Sequence, residues 1–200
     1  MNMDTNWWIE WITKIASEEE KRLVEKIEDF EEYFKDMLFE PDSIITDLTK
    51  CQFKEKEQWV DSTIIRPEEL EYFSINMFHY KVEETKESIG GFFDEKAQLL
   101  CISRKYIDDD ATILHEMIHL HEFVINKLPM FYHDTLYWGL YIYLREIIPE
   151  LDKIITDHAH ILTEYDIYSR GGVHDILFLL KSLELDVRRA YPLGTVFSYG

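Results

Sequence analysis

Two hundred residues suit one domain with a sizeable hydrophobic core. Apolar residues form 46% and aromatics 14% of the chain, which excludes disorder, and a formal net charge of −19, from 40 acidic and 21 basic residues, argues against binding to nucleic-acid phosphates. Cys51 and Cys101 are isolated, which excludes a disulfide framework or a cysteine zinc ribbon; with no export signal and no apolar run of spanning length, a soluble, cytoplasmic protein without membrane contact is expected.

Trp7, Trp8, Trp11, Ile12 and Ile15, then Leu23, Val24, Ile27, Phe30, Phe34, Met37 and Leu38, recur at helical spacing until Pro41. Residues 1–40 therefore read as an N-terminal segment of one or two amphipathic helices, and residues 41–200 as the main domain. The tryptophans are expected to pack on that domain, and the acidic residues 18–20 and 28–32 to face solvent. Ile44 and Ile45, and Thr63 to Ile65, suggest short strands, and Pro67 a helix or turn start.

From Ile75 to Ser103 the pattern changes to three strands, around Tyr80 and Val82, Ile89 to Phe93, and Leu99 to Ile102, with Asp94, Glu95 and Lys96 turning between the last two. Asp108, Asp109 and Asp110 supply helix N-cap candidates before Ala111. Further helices are expected from that point to about Pro129, from about Asp134 to Ile148, from Leu151 to Tyr168, and, after Gly171 and Gly172, from about Val173 to Arg189. The fold class is α+β.

The first of these helices carries the chemistry: Thr112, Ile113, Leu114, His115, Glu116, Met117, Ile118, His119. A helix turns about 100° per residue, so His115 and His119 stand one turn apart on one face and can share a metal ion. Glu116 projects beside them, suited to accept a proton from an activated water. A catalytic zinc needs a third protein ligand. The longer spacing His-Glu-x-x-His-x-x-Gly-x-x-His is not met, because Glu122 and Ile125 occupy the later positions. His121, two residues from His119, should face away on a straight helix. His133, presented by a returning chain after Pro129, remains, as do the carboxylates Glu146, Glu150 and Glu164. His158, His160 and His174 show no spacing that favours a site and read as structural or exposed.

Over residues 89–144 the chain resembles the SprT-like zinc metallopeptidases, which include the Spartan proteases. The resemblance rests on Gly90-Gly91, the strand Leu99-Leu100-Cys101-Ile102-Ser103, the segment Thr112 to His119, and His133 opening an aromatic-rich helix. It implies a zincin-like single domain, one Zn2+ per chain held by His115, His119 and His133, Glu116 as general base, and a peptide or protein substrate. Tyr137 matches the aromatic position after the family's third histidine, while Asp134 stands where glycine is usual. The resemblance also suggests that residues 97–103 form an edge strand able to pair with an extended substrate. The absent zinc ribbon and the acidic charge separate the chain from a DNA-bound protease. A glutamate third ligand, Glu146 or Glu164, would make the site gluzincin-like. The competing class is a non-catalytic acidic helical binding protein with a structural or vestigial zinc site, which four protein ligands would signal.

Overall fold

The structure is a computed structural model that describes residues 5–35, 73–85, 89–127, 130–163 and 174–199. The strands expected at 44–45 and 63–65 and the start at Pro67 lie outside the described residues, as do Cys51, Glu164, Gly171 and Gly172. Within the described residues the fold is α+β, with six α-helices and one three-stranded mixed sheet.

Helix α1 (Thr5–Glu10) runs into a π-helical turn (Trp11–Ile15) and then α2 (Glu18–Lys35). Ser17 and Glu20 form a reciprocal cap at the start of α2: the Ser17 amide donates to Glu20 Oε2 at 2.8 Å and the Glu20 amide to Ser17 Oγ at 3.2 Å. The apolar stripe Leu23, Val24, Ile27, Phe30 and Phe34 is buried in one core with Tyr80, Val82, Leu100, Ile102, Ile113, Leu114, Met117 and Ile118. So α2 is part of the main core. The tryptophans do pack on the domain: Trp7 meets the His79 ring edge-on at 4.4 Å, and Trp8 meets Tyr80 at 5.7 Å.

Strands β1 (His79–Glu83), β2 (Gly91–Asp94) and β3 (Leu99–Ser103) lie in the order β1-β3-β2, with β1 parallel and β2 antiparallel to β3. The β2–β3 turn is organised by Asp94, whose Oδ1 accepts from the amides of Lys96 at 2.9 Å and Ala97 at 3.1 Å. The expected edge position of residues 97–103 is corrected here. β3 uses both its edges, pairing Leu99 to Ser103 with β1 and Leu99 to Ile102 with β2, so its backbone has no row of groups left for a substrate.

Helix α3 (Asp110–Ile125) carries the His-Glu-x-x-His segment and is buried around almost its whole circumference, as an apolar helix placed inside a core must be. Its start is held by charge: Asp110 pairs with Lys26 of α2 and with Arg189, both at 2.8 Å. Helices α4 (Met130–Ile147), α5 (Leu151–Thr163) and α6 (Ile176–Arg189) follow. A second core joins Leu136, Leu140 and Leu144 of α4 and Leu151 of α5 to Leu177, Leu179, Leu180 and Leu183 of α6. Other residues of α6, Phe178 and Leu185, belong to the first core, so α6 is wedged between the two. Buried Lys181 also ties α6 to α2, pairing with buried Glu184 and donating to the Tyr33 carbonyl at 2.5 Å. Two boundaries differ from expectation: α4 begins at Met130 rather than about Asp134, and α6 at Ile176 rather than about Val173. No helix among the described residues is long and apolar enough to cross a membrane.

Candidate metal centre

His115 and His119 stand one turn apart on α3 as their spacing requires, with ring centroids 5.4 Å apart. The third member of the group is His174. Its Nε2 lies 3.0 Å from His115 Nε2, its ring is 5.3 Å from that of His119, and one ligand atom from each histidine lies within 4.8 Å of the others. These three could hold a metal ion. All three rings surround Phe178, which is fully buried, at centroid distances of 4.8, 4.8 and 4.4 Å for His115, His119 and His174. An aromatic floor of this kind removes water from one side of the cluster and limits the rotamers of the rings.

His133, the expected third ligand, stands in the first turn of α4 and outside this group. The separation of His133 from this group has a packing cause. Helix α4 is committed through Leu136, Leu140 and Leu144 to the second core, whereas His174 immediately precedes α6, whose first turn carries Phe178 beneath the α3 histidines. His121 faces away from the cluster as expected, edge-on to Phe34 at 5.4 Å and Phe73 at 6.0 Å. Glu146 and Glu150 are exposed and outside the cluster. A local signal for His174 does exist in the sequence. Asp175 is the N-cap of α6, its Oδ1 accepting from the Phe178 amide at 2.9 Å. Starting the helix after Asp175 leaves His174 on the entering turn, free of helical geometry. Starting it at Val173 buries that information.

The ring nitrogens are oriented by the surroundings. His115 Nδ1–H donates to the Val196 carbonyl at 2.8 Å, which leaves Nε2 as the bare, electron-donating nitrogen. That carbonyl is itself placed by buried Asp186 of α6, which accepts from the amides of Gly194 at 2.7 Å and Val196 at 3.0 Å. His119 Nδ1 lies 3.3 Å from Glu122 Oε2, so its Nε2 too is the nitrogen left for the cluster. Burial holds all three imidazoles below their ordinary range: His115 is lowered, His119 is pushed down to about 3 with help from His115 and His174, and His174 to about 4 with help from His115. At neutral pH they are uncharged and their lone pairs are available to a cation.

This donor set fits zinc. Tetrahedral coordination at about 2.0–2.1 Å puts ligand nitrogens roughly 3.4 Å apart, and His115 and His174 are already close to that separation at 3.0 Å. Glu116 supports the fit from another side: it is buried, its Oε2 has no hydrogen-bond partner among the described residues, and burial raises its carboxyl to about 8. A buried acid with an unused oxygen is costly in a finished protein interior and ordinary at a site that receives a ligand or substrate. A cation held by the neighbouring histidines would return Glu116 to its ionised form.

Strand β2 closes on Glu116 at Gly91. A Cβ there would sit 2.8 Å from Glu116 Cγ and 2.9 Å from the Cys101 carbonyl oxygen, distances that atoms do not tolerate. Gly91→Ala is therefore expected to destabilise the chain by about 1–3 kcal/mol and to displace Glu116. Urea unfolding, compared with Gly90→Ala, reads the cost; there the added Cβ meets the Thr112 methyl at a less severe 3.0 Å.

No protein-family model, curated protein or solved structure matches the chain.

Proposed function

We propose that the protein is a zinc-dependent metallopeptidase. The observation that carries this reading is the convergence of three neutral histidines, two from α3 and one from the turn before α6, beside a buried glutamate with an oxygen unused among the described residues. His115, His119 and His174 would hold the ion. When bound, zinc lowers the pKa of a water toward neutrality and polarises a carbonyl. Glu116 takes the proton from the attacking water and returns it to the leaving amine. Strand β2, whose outer edge is unpaired among the described residues and which touches Glu116 at Gly91, is the edge best placed to align an extended peptide. The strongly acidic chain would favour peptides of neutral or basic character.

Among the described residues the cluster has three members, the number that leaves a position open in catalytic zinc sites; a structural site uses four. This favours the enzyme over a non-catalytic acidic binding protein with a structural zinc. The resemblance to SprT-like metallopeptidases, carried by the segment Thr112 to His119, supports this reading, with His174 proposed as third ligand in place of His133. The test is direct. Protein purified without a histidine tag is expected to carry one zinc per chain and to cleave members of a mixed-sequence peptide library, with cleavage lost to a chelator and restored by zinc. A chain that holds zinc but cleaves nothing, with a fourth protein ligand in its zinc absorption spectrum, would return the site to a structural role.

A further inference from the structure

Asp186 is not one of the cluster, yet it is fully buried near the end of α6 and both its carboxylate oxygens are spent on the segment that follows that helix. Oδ2 accepts from the Gly194 amide at 2.7 Å and Oδ1 from the Val196 amide at 3.0 Å. Its backbone carbonyl accepts from the Tyr191 amide at 2.8 Å, so one residue holds the segment at three points. Gly194 takes a φ of +87°, a backbone region that glycine enters freely, and its amide and that of Val196 converge on the one carboxylate. The segment so held lies against the cluster. The Val196 carbonyl accepts from His115 Nδ1–H at 2.8 Å, and the Phe197 ring lies 5.8 Å from that of His174 and 6.0 Å from that of Phe178. We propose that Asp186 is a positioning residue for the metal centre: through the Val196 carbonyl it fixes the orientation and tautomer of His115. Helix α6 then sets two of the three ligands, His174 from the turn at its start and His115 from the carboxylate near its end. The proposal rests on the three-histidine zinc site of the reading above, and it adds a residue that neither the motif nor the cluster contains.

A carbonyl orients an imidazole only if the backbone that carries it is itself held. Apolar packing would keep buried Val196 against the core, but it is not directional. Two charge-assisted hydrogen bonds from one carboxylate supply the direction, and they compensate the cost of burying that charge. With the carbonyl fixed behind Nδ1, His115 presents Nε2 to the cluster, and a ligand imidazole with such an acceptor is both oriented and more basic.

The experiment makes two measurements on the full chain at neutral pH, for the native protein, Asp186→Leu and Asp186→Asn: zinc affinity by competition with a chromogenic chelator, and nitrogen-15 shifts of His115 in the metal-free state. The native chain is expected to show a protonated Nδ1. Leucine removes both side-chain hydrogen bonds; it is expected to weaken zinc about 10-fold, the low end for a partner of a ligand histidine because Asp186 acts through a carbonyl, and to bring up a His115 form protonated on Nε2. Asparagine keeps one acceptor oxygen but sets its NH2 group against the other backbone N–H, and is expected to fall between native and leucine. The tautomer is the readout that a purely structural Asp186 would leave alone. Unchanged zinc affinity in Asp186→Leu overturns the proposal whatever happens to its melting temperature, and so does a weakened Asp186→Leu whose His115 stays wholly protonated on Nδ1. Should the leucine variant not fold, asparagine is read in its place by the same two criteria, and a protonated Nε2 on His115 of the native metal-free chain overturns the assignment by itself. A native chain that takes up no zinc sinks the metallopeptidase reading and this proposal with it, whereas native binding with an indifferent Asp186→Leu sinks this proposal alone.

Discussion

His174→Ala is expected to abolish tight zinc binding, while His133→Ala leaves it intact. A four-ligand zinc site in small folded units is worth roughly 10–16 kcal/mol, so one ligand accounts for about a quarter of that, and its loss weakens binding on the order of a hundred- to a thousandfold. The same loss is visible in stability. Zinc at a hundred times its dissociation constant stabilises the native chain by about 2.7 kcal/mol, which for a chain of this size raises the melting temperature by roughly 5–10 °C. That rise should be present in the native protein and in His133→Ala and absent in His174→Ala. Deleting His174 removes an imidazole that lies on Phe178 with its centroid 4.4 Å away, so the metal-free variant also loses some packing; the comparison is therefore the zinc-dependent rise, not the absolute melting temperature. A full zinc-dependent rise in His174→Ala, with none in His133→Ala, would restore the ligand set expected from the sequence and would mean that α4 turns its first turn toward α3.

The contrast between these two histidines shows what the sequence makes legible. His115, Glu116 and His119 are fixed relative to one another by helical geometry alone, so a pattern of five residues on an apolar helix locates them. The third member of the histidine cluster depends on where α6 enters the core, and that is decided by tertiary packing: Phe178 seating beneath the α3 rings while Leu177, Leu180 and Leu183 pack on α4. No residue spacing encodes that. The sheet follows the same rule. Its strands are legible from alternation, but their order is not, because β1 pairs in parallel with β3 across the intervening β2, and the expected edge strand becomes the central one.

Glu116→Gln is expected to keep zinc and lose hydrolysis. General acid–base catalysis by a positioned side chain contributes about 10²–10⁴-fold, and the amide can neither take the proton from water nor return it to the amine. The same substitution is expected to stabilise the metal-free chain, with a pH dependence that identifies the cause. Burial raises Glu116 from its ordinary value of 4.5 to about 8 in the folded chain. Between those values the folded chain holds a proton that the unfolded chain has released, so the carboxylate's preference for water opposes folding increasingly as pH rises, and the whole penalty is present above about pH 8. Glutamine has no such penalty. Its advantage should be absent near pH 4.5 and reach on the order of a few kcal/mol by pH 8. The histidines act in the opposite sense: His119 and His174, depressed by burial, stay neutral in the folded chain while the unfolded chain takes up protons below about 6.5, so both proteins should lose stability together as pH falls. The difference between the two melting curves isolates Glu116. Adding zinc should shrink that difference, because positive charge on the cluster favours the carboxylate over its acid. Equal melting temperatures at every pH would mean that Glu116 is solvated rather than buried beside the cluster, and hydrolysis at the native rate in the glutamine variant would remove it from the chemistry altogether.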